Sequence, residues 1–345
     1  MSYQTGIPTS PADLLQTLVT WLVSIGWTSD KSAAAGAGWE AHLHKSGVNV
    51  HFLAAVAART WSSTSEADPA GTALSLFLST GFDGSGAWDA QPGNPPIESG
   101  GSSVIGCGMN LSAGPFSNYY FLADTAGDNV VVVVEKSPGL YVYLFWGNLI
   151  AKVGTWTGGM YFGASSSGYH ASNHFVGAGV PGWTETSPCP GSHQDVNGLA
   201  AGFVLCDSDS FTGKWIAISD AGVGLAYTGR GGASSVFTAN ALHGGATQTA
   251  SIPRFATVAD TALANPHQFQ FQQTSELDGR VNLLPVLWWV GRDGSSGPTG
   301  GFSLIGSLPG IFFSNGVGNG FVPSGEYVIG SDTYKMFPNF AVAKV

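Results

Sequence analysis

The chain has 345 residues, a formal net charge of −10 and only 10% charged residues, against 43% hydrophobic ones. That balance excludes intrinsic disorder, which requires low hydrophobicity and high net charge. The 12 Lys and Arg residues form no cluster, so no nucleic-acid surface is expected. No apolar run reaches the roughly 18–20 residues of a membrane-spanning helix, so no membrane insertion is expected either.

The opening stretch MSYQTGIPTSPAD has no basic region followed by an apolar core. No secretory signal is therefore expected, and the protein should be made and kept, or assembled, in a cytoplasm. Its three cysteines, Cys107, Cys189 and Cys206, are then expected to stay reduced; Cys189 and Cys206 are the pair that could form a bridge.

One strong helix is legible, over residues 10–25. Ser10 is a good N-cap, Pro11 suits the first helical position, and Asp13 stands where it completes a capping box. Leu14, Leu15, Leu18, Leu22 and Ile25 follow helical spacing, and Gly26 is a natural stop. Val19, Trp21 and Val23 widen the apolar face, which predicts burial on more than one side.

Strand signals follow. WEAHLHKSGVNVHFLAAVA reads as two strands about Ser46-Gly47, and TALSLFLSTGF as another. NYYFLAD, NVVVVVEK, LYVYLFWG and MYFGAS read as a meander. The valines at 130–134 are too few to span a membrane, and a β-branched run of this length reads as a strand buried on both faces. The next strand, after Ser137-Pro138-Gly139, also carries bulky side chains on both faces, so this hairpin is expected at the centre of the fold. Residues 164–202 lose periodicity and read as long loops. GKWIAISD and VGLAYTG read as a hairpin, VNLLPVLWWVGRDG as an apolar strand, and GEYVIGSDTYKMFPNF as a closing hairpin. The expected fold class is α+β, mostly antiparallel β of meander or sandwich type, with one helix near the start and long Gly-rich loops. Three segments are expected: residues 1–164 as helix plus meander core, 165–275 as a loop-rich insertion with a hairpin, and 276–345 as strands completing the core.

Reaction motifs are absent: there is no P-loop, no HExxH, no nucleophile elbow and no paired CxxC. The GVGNG at 316–320 lacks the strand and helix that would aim a dipole at phosphate. One constellation has geometric content. A two-residue loop at Ser46-Gly47 pairs Lys45 with Val48, His44 with Asn49 and His42 with His51. Three imidazoles would then share a face, a set suited to Zn²⁺ or Ni²⁺, although separate hydrogen bonds serve them equally. Asp83, Asp89 and Glu98 in GFDGSGAWDAQPGNPPIESGG are the carboxylates a glycosidase would need, with Trp residues to line a cleft. Cys189 with His193 and Asp195 is the remaining polar cluster. None of these makes an enzyme, and the expectation is no catalytic, cofactor-binding or metal residues and no cofactor.

Several segments resemble, in the same order, a family of tailed-bacteriophage virion structural (tail-associated) proteins. DLLQTLVTWLVSIGWT resembles the family's opening helix with its Gly-Trp stop, and GFDGSGAWDAQPG a Trp-Asp-x-Gln-Pro-Gly loop. The stretch from YYFLADTAGDNVVVVVEK through MYFG resembles its central meander. NLLPVLWWVGR, FSLIGSLPGIFF and YVIGSDTYKMFPNF resemble its closing strands, whereas the segment from about 165 to 273 has no counterpart. The resemblance implies a non-enzymatic virion component, in the tail or baseplate or else the neck or collar. Its partners would be other phage virion proteins and further copies of itself in an oligomer or ring. The alternative is a carbohydrate- or receptor-binding module at the tail periphery.

Overall fold

The computed structural model describes residues 2–55, 73–86, 88, 91–93, 106–111, 114–148, 159–168, 202–206, 214–218, 226–227, 236–238, 283–291, 302–314, 322–329, 331–337 and 340–344. It is mostly antiparallel β-sheet with one helix among the described residues. The chain divides into two compact units, Met1–Asn148 with Met160–Thr186, and Leu149–Gly159 with Ser187–Val345.

The first unit opens with β1 (Ser2–Gly6) and α1 (Pro11–Ser24). The Ser10 side chain accepts from the Asp13 N–H at 3.2 Å. Asp13 reaches back one residue further than a capping box requires, taking the Thr9 N–H at 2.7 Å and the Thr9 hydroxyl at 2.9 Å. At the other end Gly26 has φ +95, a backbone state that costs glycine little. It allows Gly26 N–H to reach Val23 O and Trp27 N–H to reach Leu22 O, both at 3.1 Å, which is the Schellman closure. Leu14, Leu15, Leu18, Val19, Trp21 and Leu22 are buried as the wide apolar face predicts; Val23, expected with them, is 48% exposed.

Then come β2 (Thr28–Ala35), β3 (Gly38–Lys45), β4 (Val48–Ala55), β5 (Ala73–Ser79) and β6 (Gly106–Asn110). They are followed by β7 (Asn118–Ala123), β8 (Val130–Ser137), β9 (Leu140–Asn148), β10 (Met160–Ala164) and β11 (Ser166–Gly168). In this unit one run of strands has the order β1-β7-β8-β9-β10, and a second sheet the order β11-β6-β5-β4-β3-β2. Helix α1 packs on β2 to β5, and its Trp21 reaches Phe121 of β7 with ring centroids 5.4 Å apart. Trp146 of β9 meets Phe52 of β4 at 5.2 Å and Trp27 at 6.2 Å. These aromatic contacts fix the facing surfaces of the two sheets.

The register then sorts the valine strand. Val130, Val132 and Val134 stand opposite Trp146, Leu144 and Val142, so they share the face that meets the helix and the second sheet. Val131 and Val133 stand opposite Phe145 and Tyr143 on the other face, and all four are 5% exposed or less. The strand is buried on both faces, as its composition predicts, and α1 covers only one of them.

The second unit contains β12 (Gly202–Cys206), β13 (Lys214–Ile218) and β14 (Ala226–Tyr227), hydrogen-bonded in that order. It also holds β15 (Val236–Thr238), β16 (Leu283–Gly291), β17 (Phe302–Ser314), β18 (Glu326–Ile329), β19 (Asp332–Met336) and β20 (Phe340–Ala343). These last form a sheet of order β15-β16-β17-β20-β19-β18, with Tyr334, Met336 and Ala341 at a small core.

Candidate functional site

The sheet of β2 to β6 has two unlike faces. On β4, Val48, Val50, Phe52 and Ala54 point to the helix side, while Asn49 and His51 point away. The β3–β4 turn has φ 51 at Ser46 and 80 at Gly47, the pair of positive values that a two-residue hairpin turn demands. That turn sets the register predicted from sequence: Lys45 opposite Val48, His44 opposite Asn49, and His42 opposite His51. On β5, Ser79 stands opposite Asn49 and Phe77 opposite His51. Glu40, His42, His44, Asn49, His51, Phe77 and Ser79 therefore share the outward face, a mostly polar set of which His42, His51, Phe77 and Ser79 are buried.

This face does not gather three imidazoles. His44 turns to Asp30, with Nδ1 to Oδ2 at 2.8 Å. His42 and His51 bind each other, Nδ1 to Nδ1 at 2.6 Å. The outer nitrogen of His42 meets Glu40 Oε1 at 2.5 Å, and the same oxygen accepts from Lys31 Nζ at 2.7 Å. The outer nitrogen of His51 meets Ser79 Oγ at 2.5 Å. Ser79 Oγ in turn lies 2.5 Å from the carbonyl of Gly81. The result is an unbroken polar line, Lys31–Glu40–His42–His51–Ser79–Gly81. No group of three or more His, Cys, Asp or Glu suited to a metal ion occurs among the described residues.

The line is roofed by the loop at 80–93. Its ends are tied by Thr80 N–H to Pro92 O at 3.0 Å. Inside it, Gln91 Oε1 accepts the Asp83 N–H at 2.8 Å. Phe82 lies on the His42 ring at 4.9 Å, and Trp88 lies on Phe77 at 4.8 Å. His42, His51 and Ser79 are 0% exposed as a result.

Burial governs the charge states. It is the first cause that lowers the pKa of His51 from 6.5 to about 3, with the charge of His42 second. Burial also outweighs the pull of Glu40 and leaves His42 below its ordinary value. For Glu40 burial acts upward, but hydrogen bonds from Lys31 and His42 prevail and its pKa falls. At neutral pH the line holds an ionised carboxylate and two neutral rings.

A hydroxyl, an imidazole, a second imidazole and a carboxylate in sequence are the parts of a nucleophile with its base and orienting groups. In this structure Ser79 is fully buried, and its oxygen faces the Gly81 carbonyl. The other sequence candidates are dispersed. Asp83 is exposed, and its carboxylate closes a local turn by accepting the Ser85 N–H at 2.9 Å and hydroxyl at 2.7 Å. Asp89, Glu98, Cys189, His193, Asp195 and the 316–320 glycines lie outside the described residues. Trp21, Trp27, Trp88 and Trp146 are consumed in packing, each 7% exposed or less.

Sequence reasoning missed Glu40 and Ser79. The first carried a local signal, since it stands two residues before His42 and alternation puts both on one face. Ser79 carried none, because its place depends on the pairing of β4 with a strand some thirty residues away. No protein-family model matches the chain, and no curated protein matches it.

Proposed function

We propose that this protein is a non-enzymatic structural subunit of a tailed-bacteriophage virion, placed in the tail or baseplate, with the neck or collar as the second placement. It works through protein–protein assembly with other virion proteins and with further copies of itself, inside a particle put together in the bacterial cytoplasm. The observation that carries this reading is the order of the resembling segments along the chain. In the fold, the opening ones fall on parts of one unit: α1 with its Gly26-Trp27 stop, the 80–93 loop, and strands β7 to β10.

Two further features support it. Among the described residues, Glu40, His42 and His51 are bonded to one another, and both rings are buried. Apolar side chains remain outside in this unit: Ile7 is 70% exposed, Val23 48% and Leu140 46%. A subunit covered by neighbours makes use of such positions.

The test is to locate the chain in purified particles by gold-labelled antibody and to count its copies against a known tail protein. A fixed, ring-like copy number at the tail is the expected result. Absence from particles, with a soluble monomer that binds defined sugars on a glycan array, would overturn the structural reading in favour of a carbohydrate- or receptor-binding module.

A further inference from the structure

His42 is 0% exposed, yet the layer between it and water is thin. Its two ring nitrogens are taken in the plane of the sheet by Glu40 and His51. Over the ring lies Phe82, with centroids 4.9 Å apart and planes at 45°. Phe82 is itself only half-buried and belongs to no helix or strand. It is carried on the segment 80–86, which leaves β5 directly after Ser79. Among the described residues this segment joins no β-ladder. It is tied by the Thr80 N–H to Pro92 O at 3.0 Å, by the Asp83 N–H to Gln91 Oε1 at 2.8 Å, and by the Ser79 hydroxyl to the Gly81 carbonyl at 2.5 Å.

We propose that segment 80–86 is an acid-released cover: proton uptake by His42 and the lifting of Phe82 from its ring are one linked event, because a charged imidazole needs the water that Phe82 excludes. Burial sets the sign. With the cover down, burial is the first cause that holds His42 below its ordinary value, ahead of the hydrogen bond and charge of Glu40, which act upward. With the cover raised, water reaches the ring while Glu40 stays beside it, so the ring takes its proton at or above its ordinary 6.5. The raised state therefore holds more protons in acid, and acid shifts the segment from lowered to raised. One proton sets a ceiling of about tenfold per pH unit. The ring titrates over only part of the interval from pH 7 to pH 5, so the raised fraction grows about threefold to twentyfold across it.

The charged and titratable groups around His42 come from every strand packed beside it. Strand β2 supplies Lys31, bound to Glu40, and Asp30, engaged by His44. Strand β3 supplies Glu40 and His44 themselves. Strand β4 supplies His51, whose pKa near 3 keeps it neutral over this interval. Strand β5, ALSLFLS, has no ionisable side chain. Segment 80–86 supplies Asp83, which is exposed and turned onto Ser85. Lys31 opposes a charge on His42, whereas Glu40 and Asp30 favour it. Glu40, at 2.5 Å, is the partner that the charged ring keeps when the cover lifts.

The experiment is NMR of the ¹⁵N-labelled protein between pH 7 and pH 5, reading the ring nitrogens of His42 and the hydrogen exchange of the Thr80 and Asp83 amides. Both amides should exchange faster than those of β8 at every pH, which marks their opening as local. Their protection factors, corrected for intrinsic pH dependence, should fall about threefold to twentyfold from pH 7 to pH 5. In His42→Gln that fall should be lost. Phe82→Ala removes the cover at a half-buried position outside the sheets, so the fold survives it. There the His42 pKa should rise toward its ordinary value, and the pH response of Thr80 and Asp83 should flatten. Flat protection of these two amides in the wild-type protein overturns the proposal, as does protection equal to that of β8, which would make every opening a whole-chain one. A fall that persists in His42→Gln, or a Phe82→Ala protein whose His42 titrates as in the wild type, overturns it equally.

Discussion

Acid should unfold this protein through His51, and the size of the effect follows from burial. The ring is 0% exposed, and its pKa is pushed from 6.5 down to about 3. In the unfolded chain the ring returns to water and binds a proton at its ordinary value. Between pH 6.5 and about 3 the unfolded state therefore holds more protons at this position, and stability falls as pH falls. One group contributes a slope of about 1.4 kcal/mol per pH unit. Going from pH 6.5 to pH 4 thus removes about 3 kcal/mol, a large share of the roughly 5–15 kcal/mol that holds a domain folded. His42 and Glu40 are also held below their ordinary values and act in the same direction. The assay is urea unfolding followed by Trp fluorescence at pH 7, 6, 5 and 4. A His51→Gln protein keeps a polar side chain in place but cannot titrate there. It should begin less stable at pH 7 and lose about 3 kcal/mol less than the wild type by pH 4. An equal fall in the two proteins would refute the assignment of a neutral, buried His51.

Three further outcomes are expected. Val132→Asp should abolish folding, because Val132 is 0% exposed and an unpaired carboxylate there costs several kcal/mol or more; circular dichroism of a soluble, cooperatively melting variant would contradict this. Gly127→Ala should destabilise by about 1–3 kcal/mol, since Gly127 has φ +73 and a Cβ would stand 2.7 Å from Lys45 Nζ, and a denaturant midpoint equal to wild type would count against the crowding. Purified protein should carry no stoichiometric zinc or nickel at His42, His44 and His51, because the facing nitrogens of His42 and His51 are 2.6 Å apart and share a hydrogen bond; elemental analysis showing one equivalent, lost in His42→Ala, would reverse that.

What was legible in the sequence was local. The Ser46-Gly47 turn fixes its own register, so the His42–His51 pair followed from counting. The helix was marked by Ser10, Pro11 and Gly26, each with a single geometric role, and the valine strand by its composition. Other strands were not marked. The TSDKSAAA of β2 contains little that favours a strand, and it is held by pairing with β3 through a register shift between Ser29 and Lys31. The GCGMN of β6 has two glycines and exists as a strand between β5 and β11. Helical and hairpin geometry is written within a few residues, whereas strand partnership is a long-range choice. The same division ran through the site: the two histidines could be paired from sequence, but Ser79 and the roof over it could not.

The pairing of β1 with β7 sets a waiting time in biosynthesis. Thr5 is bonded to the carbonyl of Tyr119, 114 residues further on, so β1 leaves the ribosome long before its partner exists. At roughly 5–20 residues per second, the interval is about six to twenty-three seconds. A lone strand of that age is exposed to pairing with other chains. Its sequence, SYQTG, has no aliphatic side chain, so it gains little from a wrong partner while it waits. Its bonds to β7 also include one from the Gln4 side chain to Tyr119 Oη at 2.9 Å. Among the described strands, the one that must remain unpaired longest is thus directed to its partner by side-chain hydrogen bonds, and ribosome-bound chains that end before β7 should leave it open to protease.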